Sequence, residues 1–217
     1  MITPAAGLRT SAEVPSLSWL GHASFRLQSK AGKVVYIDPW EVRSTAKADL
    51  ILITHEHYDH CSPEDVKKLS TPETVVVAPA DCAAKIGGAV TTVKPGVRGT
   101  YAGFAVETVP AYNIDKAFHP KAKGWVGYLL TIDGKRVYHA GDADLIPEME
   151  GIVCDVALLP VGGTYNMNAA EATAATTKIR AKEWVPMHWG KIVGSQADAE
   201  AFRKGVTNGI VVILPLE

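Results

Sequence analysis

Eleven short apolar runs recur from Leu17 to Leu214, most of them four to six residues long and rich in β-branched side chains. They include SFRLQ within 23–28, KVVYI (33–37), DLILIT (49–54), TVVVA (74–78), GYLLTI (127–132), DVALLP (155–160) and EWVPM (183–187). Runs of that length suit strands better than helices. Asp133-Gly134, between GYLLTI and KRVYHA (135–140), is a strong hairpin signal. Helix starts are fewer. Ser62-Pro63-Glu64-Asp65 offers a capping hydroxyl, proline at the first helical position and an acid at the third. Asn168 and Glu171 open the Ala/Thr-rich stretch 169–180 in the same way. Residues 79–86, closed by Gly87-Gly88, and 196–204, ahead of Gly205, complete four predicted helices. Strands first and a mixture later predict sheets covered by helices, an α/β or α+β layered domain.

A chain of 217 residues and 47% hydrophobic content can bury about 70% of its unfolded surface, enough for a full core. The expected organisation is an arm over 1–16 and one domain over 17–217. Net charge is −1, from 22 basic against 23 acidic residues, which argues against an extended nucleic-acid-binding or lipid-binding surface. No apolar stretch reaches the roughly 20 residues needed to cross a bilayer. The first residues lack the apolar segment of a signal peptide, and three cysteines without CxxC spacing suit a reducing compartment. The expectation is a cytoplasmic protein acting on a small molecule, without a membrane or nucleic-acid partner; self-association is left open.

The chemical signal is Thr54-His55-Glu56-His57-Tyr58-Asp59-His60, between the apolar run DLILI and the capped helix. Four ligand types fall within six residues: His55, His57, Asp59 and His60. Imidazoles with a carboxylate and no thiolate suit Zn²⁺, Fe or Mn²⁺ rather than a structural cysteine site. Alternation along the loop lets His55 and His57 share one ion while Asp59 and His60 turn toward a second. With 7 His and 11 Asp in the chain, HxHxDH arises by chance in roughly 4 of 10,000 such sequences. An accidental polar loop is therefore the weaker reading.

Two later residues share this context. Asp142 ends His139-Ala140-Gly141-Asp142 and His188 follows EWVPM. Like His55, each lies just beyond a predicted strand, where sheet proteins gather reactive groups. Alone, Asp142 reads equally as a turn residue and His188 as a capping histidine.

Together, HxHxDH, Gly141-Asp142 and His188 resemble the metallo-β-lactamase-fold superfamily. Trp19-Leu20-Gly21-His22-Ala23-Ser24, Asp38-Pro39 and Tyr138-His139-Ala140-Gly141-Asp142 narrow the likeness to its metal-dependent hydrolases, which are similar to ascorbate-6-phosphate lactonases. The resemblance spans residues 17 to about 214. It implies an αββα four-layer sandwich of two mixed sheets with a metal centre at one edge. It further implies a hydroxide held between two ions, with His55 and His57 on the first, Asp59, His60 and His188 on the second, and Asp142 bridging.

The pattern departs at one point. The superfamily's third histidine for the first ion should fall in 109–113, where the expected position holds Asn113, a weaker zinc ligand. That leaves the first site poorly occupied, filled by a harder ion, or completed by His119 or His22. His119 is open between ligand, substrate-facing group and surface residue; His22 between a substrate-side or supporting role and a structural one. His139, inside a strand, reads as a core histidine, and Asp38 as a partner orienting a ligating histidine. Trp40, Trp125 and Trp189 flank these positions in sequence.

The implied activity is hydrolysis of a small ester, lactone or phosphoester with one or two divalent ions, zinc ahead of manganese, iron or nickel. Asp59 would orient the nucleophile or take its proton, with His22 and His119 as further catalytic candidates. The alternatives are a binding protein with weak or no turnover, motivated by Asn113, and a nuclease or phosphodiesterase.

Overall fold

The strands fall into two sheets, and the order of their pairing places the site. The structure, a computed structural model, describes residues 10–14 and 16–217. The first sheet runs β1 (Ser18–Gly21), β2 (Ser24–Gln28), β3 (Val34–Ile37), β4 (Leu50–Leu52), β5 (Val75–Ala78) and β6 (Val90–Thr92), in sequence order. The second holds β7 (Arg98–Tyr101), β8 (Phe104–Pro110), β9 (Val126–Ile132), β10 (Lys135–His139), β11 (Val156–Pro160), β12 (Glu183–Met187) and β13 (Ile210–Val211). Each sheet is antiparallel at one side and parallel at the other.

Alternation within a strand explains how the sheets stack. Val35 and Ile37 of β3 and Leu50 and Leu52 of β4 face the second sheet and join its core. Their neighbours Val34, Tyr36 and Ile51 face outward, into a separate core under α1 (Pro63–Leu69) and α2 (Ala80–Ile86). Both faces are buried, so these parallel strands read as unbroken apolar runs rather than alternating ones. On the second sheet, α3 (Ala169–Ala175) packs on β11 and α4 (Gln196–Gly205) on β12. The four layers are those of an αββα sandwich.

Local chemistry sets the element ends. Ser62 caps α1 by accepting from Asp65 N, and Asn168 and Glu171 form a reciprocal capping box on α3. The β9–β10 hairpin turns on Asp133 (φ 50°) and Gly134 (φ 78°), both left-handed as a tight primed turn requires. The predicted helix 169–180 stops at Ala175. Around that end, Thr173 inside the helix and Thr176 and Thr177 beyond it donate their hydroxyls to carbonyls three or four residues back, which competes with helix propagation. β6 and β7 were not anticipated; they carry mostly exposed or half-buried side chains and no apolar run.

Residues 1–9 and 15 of the predicted arm lie outside the described residues. The part described is anchored: Ser11 is buried and donates to Glu183 Oε2, while Ala12 N and Glu13 N donate to Glu183 Oε1.

Gly127 in β9 reports on how closely the strand ends pack. A Cβ there would stand 2.6 Å from the His139 carbonyl oxygen. Gly127→Ala should therefore destabilise the fold by about 1–3 kcal/mol. A urea midpoint equal to the parent's would contradict this close approach.

Candidate metal centre

Six loops deliver their side chains to one edge of the sandwich. Beyond β4 the chain stays in register for one residue, Ile53 N donating to Val77 O at 3.0 Å. Thr54 O then accepts from Val126 N at 3.1 Å, tying the first sheet to the second just before His55. A tight turn follows, with His60 N and Cys61 N both donating to His57 O at 3.0 and 2.8 Å, and Ser62 starts α1. Asp38 lies beyond β3, Asp142 beyond β10, His188 beyond β12, and His22 between β1 and β2. His119 comes from the 111–125 loop after β8. His22 (φ 53°), Asp38 (φ 46°) and His188 (φ 60°) are left-handed, half of the six non-glycine residues so placed. Such strain persists where surrounding contacts over-determine it. Here His188 N donates to His22 O at 2.9 Å.

Three imidazoles meet on one side. His55 Nε2 lies 3.1 Å from His57 Nδ1 and 3.3 Å from His119 Nε2. The ring protons of His55 and His119 are accounted for elsewhere. Thr54 Oγ1 donates to Asp38 Oδ2 at 2.6 Å, so His55 Nδ1–H donates to Thr54 Oγ1 at 2.9 Å. Asn113 Nδ2 donates to Asp144 Oδ1 and Tyr165 O, leaving its Oδ1 to accept from His119 N and His119 Nδ1 at 3.1 and 2.9 Å. Both Nε2 atoms therefore turn lone pairs toward the same point.

The other side holds His22, Asp59, His60 and His188, whose donor atoms lie within 4.8 Å of one another. His22 Nε2 donates to Asp59 Oδ2 at 2.9 Å and His60 Nδ1 to Asp38 Oδ2 at 2.7 Å. Asp142 stands between the groups: Oδ1 is 3.4 Å from His60 Nε2, while Oδ2 is 2.9 Å from His188 Nε2 and 3.5 Å from His119 Nε2.

These atoms fit cations and not one another. His60 Nε2, Asp142 Oδ1, His188 Nε2 and Nδ1 and His22 Nδ1 are buried without a hydrogen-bond partner. Buried polar groups are otherwise almost always paired, and a cluster of such atoms around converging imidazoles is the donor set of a divalent-ion site.

The electrostatics agree. Burial depresses His55 well below the usual imidazole range and His22 and His119 to about 4, so these rings are neutral. For Asp59 burial acts upward, but the His22 hydrogen bond and nearby His60 outweigh it and hold the carboxyl at about 2. Burial also opposes the ionised form of Asp142, yet His188 and His60 keep it well below the carboxylate range. His60 goes the other way: burial disfavours its charge, and Asp142 and Asp38 together hold it well above the usual value.

Nearly every candidate from the sequence arrives at this edge. Asn113 is the exception: its amide is spent on His119, Asp144 and Tyr165 O, so the third imidazole comes from six residues further along, and Asn113 stands behind it. His139 is a core histidine, donating from Nε2 to Ala23 O and accepting the Gly141 N–H at Nδ1. Trp125 packs 5.0–5.6 Å from the rings of His55, His57 and His119. Trp40 meets His22 edge-on at 5.3 Å, while Trp189 stacks on Trp19 instead. Asp144 and Asn166 were missed. Asp144 braces the loop through Asn113 Nδ2, Ile114 N and Lys116 Nζ. Asn166 is fully buried with both amide atoms unpartnered, beside the pocket residue Tyr165. Neither belongs to a motif; only the turn residues around them were visible.

A cavity of about 220 Å³ opens onto the centre, lined by His57, Tyr58, Asp59, Phe118, His119, Asp142, Tyr165 and Ile192.

With this geometry in view, residues 16–188 match the family model described as the beta-lactamase superfamily domain. The chain belongs to that superfamily. A UPF0173 metal-dependent hydrolase of Thermoplasma acidophilum is 32% identical over 214 residues, covering 91% of this chain and 93% of the relative. A crystal structure described as a metal-dependent hydrolase from Parabacteroides distasonis superposes with a TM-score of 0.81 at 32% identity, covering 93% of each chain. A metallo hydrolase from Ignicoccus hospitalis gives 0.75 at 28% identity, covering 93% of this chain and 95% of its own. This superfamily member is a metal-dependent hydrolase with the metallo-β-lactamase fold.

Asp38 tests the support beneath the centre. Fully buried, it accepts from Thr54 N at 2.7 Å, from Thr54 Oγ1 and from His60 Nδ1, so it orients His55 through Thr54 and His60 directly. Outer partners of this kind are typically worth 10–100-fold in metal affinity. Asp38→Ala should weaken metal binding by roughly that factor, read by competition with a chromophoric chelator. Parent-like affinity would remove Asp38 from the account.

Proposed function

We propose that the chain hydrolyses a small ester, lactone or phosphoester with two divalent ions, zinc ahead of manganese, iron or nickel. His55, His57 and His119 would hold one ion, Asp59, His60 and His188 the other, and Asp142 would serve both. The observation that carries this reading is the pair of facing ligand groups whose unpartnered atoms are joined by one buried carboxylate. Ions held there supply Lewis acidity, which makes water acidic and polarises a carbonyl or phosphoryl oxygen.

The protein's own part follows from placement. Asp59, ionised and lining the cavity, orients the attacking water by accepting its hydrogen bond, and the proton that the water gives up passes to the leaving oxygen. The water oxygen bonds to the acyl carbon or phosphorus, the bond to the leaving oxygen breaks, and that oxygen takes up a proton. His22, neutral, fixes Asp59 Oδ2 in place through its Nε2–H. Asn113 and Asp144 hold the His119 loop, and Trp125 walls the first group from water.

The binding-protein alternative rested on Asn113, and His119 at the first group removes that motive. A small-molecule substrate is supported by the net charge of −1 and the modest cavity, and a cytoplasmic setting by three free cysteines; among the described residues no helix is long and apolar enough to cross a membrane.

The test is a panel of esters, lactones and phosphodiesters with metal-loaded protein, repeated after chelation and after reloading. Turnover of at least one class, lost to chelator and restored by metal, is expected. Turnover indifferent to chelator would overturn the proposal.

A further inference from the structure

We infer that the pocket above the metal centre selects a neutral substrate carrying a compact, ring-sized apolar group, an aryl ester or similarly substituted lactone rather than a phosphoester. This rests on the hydrolase reading and narrows it.

The first observation is where the apolar surface lies. Of six large hydrophobic side chains exposed among the described residues, three sit on the two loops that carry His57 and His119: Tyr58 at 65% exposure, Ile114 at 54% and Phe118 at 46%. Tyr58 and Phe118 line the cavity with Tyr165 and Ile192, and Phe118 meets Tyr165 edge-on at 4.6 Å. Aromatic rings left open beside a buried polar centre present a contact face of large area and low entropic cost.

The second is charge. No Lys or Arg lines this cavity, so the ions at its floor would be the only cations a bound substrate meets. The lysines nearest in sequence are engaged by carboxylates: Lys116 with Asp144 at 2.5 Å, Lys121 with Glu148 at 2.8 Å and Lys191 with Glu41 at 2.8 Å. Sites that recognise phosphate add paired Arg or Lys donors around it, and no lining side chain supplies one here.

The third is size. The cavity of about 220 Å³ exceeds the roughly 150 Å³ that admits benzene, leaving room for one ring and an ester group.

The experiment compares phenyl acetate, ethyl acetate and phenyl phosphate on metal-loaded protein, with acetanilide as a neutral, slowly hydrolysed probe whose binding is read by calorimetry. Phe118→Ala, at a half-exposed loop position, should raise KM for phenyl acetate about tenfold, raise KM for ethyl acetate by a clearly smaller factor, and weaken acetanilide as much as phenyl acetate. Ile192→Lys should shift binding toward phenyl phosphate. Phenyl phosphate bound or cleaved better than phenyl acetate by the parent would overturn the inference while sparing the hydrolase reading. Absence of turnover throughout would count against the hydrolase reading alone; the inference would then stand or fall on whether acetanilide binds and Phe118→Ala weakens it.

Discussion

Asp142→Ala will empty both halves of the centre at once and abolish hydrolysis. One carboxylate, 3% exposed, reaches His119 of the first group and His60 and His188 of the second. It is the carboxylate that stands between the two groups. Its removal takes a negative charge from a site proposed to hold two dications and leaves His60 and His188 without their carboxylate partner. Metal content should fall at least tenfold. Because the ions supply several kcal/mol of catalysis and each 1.36 kcal/mol is a decade in rate, kcat/KM should fall by roughly 10³ or more. Asp142→Asn, which keeps the shape and removes the charge, should do nearly the same. The readouts are elemental analysis and turnover, with circular dichroism establishing that the variant is folded. A variant that keeps both ions would end Asp142's role as the shared group.

The second large effect separates the two groups. His119→Ala should lose one ion and retain the other, because His119 contributes only to the cluster of His55 and His57. Asn113→Ala should follow in milder form, weakening one ion about 10–100-fold, since Asn113 Oδ1 is what holds His119 Nδ1. From the sequence alone, Asn113→His would restore a missing ligand and raise occupancy. The geometry reverses the sign. A histidine at 113 cannot accept from His119 while donating to Asp144 and Tyr165 O as the amide does. It should lower occupancy of the first site. A chelator titration that is biphasic for the parent should become single-phase for His119→Ala. Two unchanged phases would contradict the assignment.

This reversal marks where the sequence stops being legible. The strands with both faces buried were readable because burial leaves an apolar run, and the helices α1 and α3 because capping writes its own local signature. β6 and β7, at one side of each sheet, bury little and leave no such trace. For the site, HxHxDH, Asp142 and His188 follow strands, so their place is set by sheet order. His119 belongs to a loop whose path depends on Asp144, Asn113 and the Tyr165 carbonyl, partners up to 52 residues away. Spacing carries no record of such contacts, so position 113 drew the place beside His55 and His57 that His119 occupies. Likewise Asp38 looked like one supporting partner and proves to orient two histidines, one of them through Thr54.

The central claim is that this edge of the sandwich holds two divalent ions. Metal content per chain, measured by elemental mass spectrometry on protein purified without tag or chelator and again after reconstitution, tests it most directly. The account predicts close to two ions per parent chain and close to one in His119→Ala. No metal after reconstitution, or a single ion that survives both His119→Ala and His188→Ala, would contradict it.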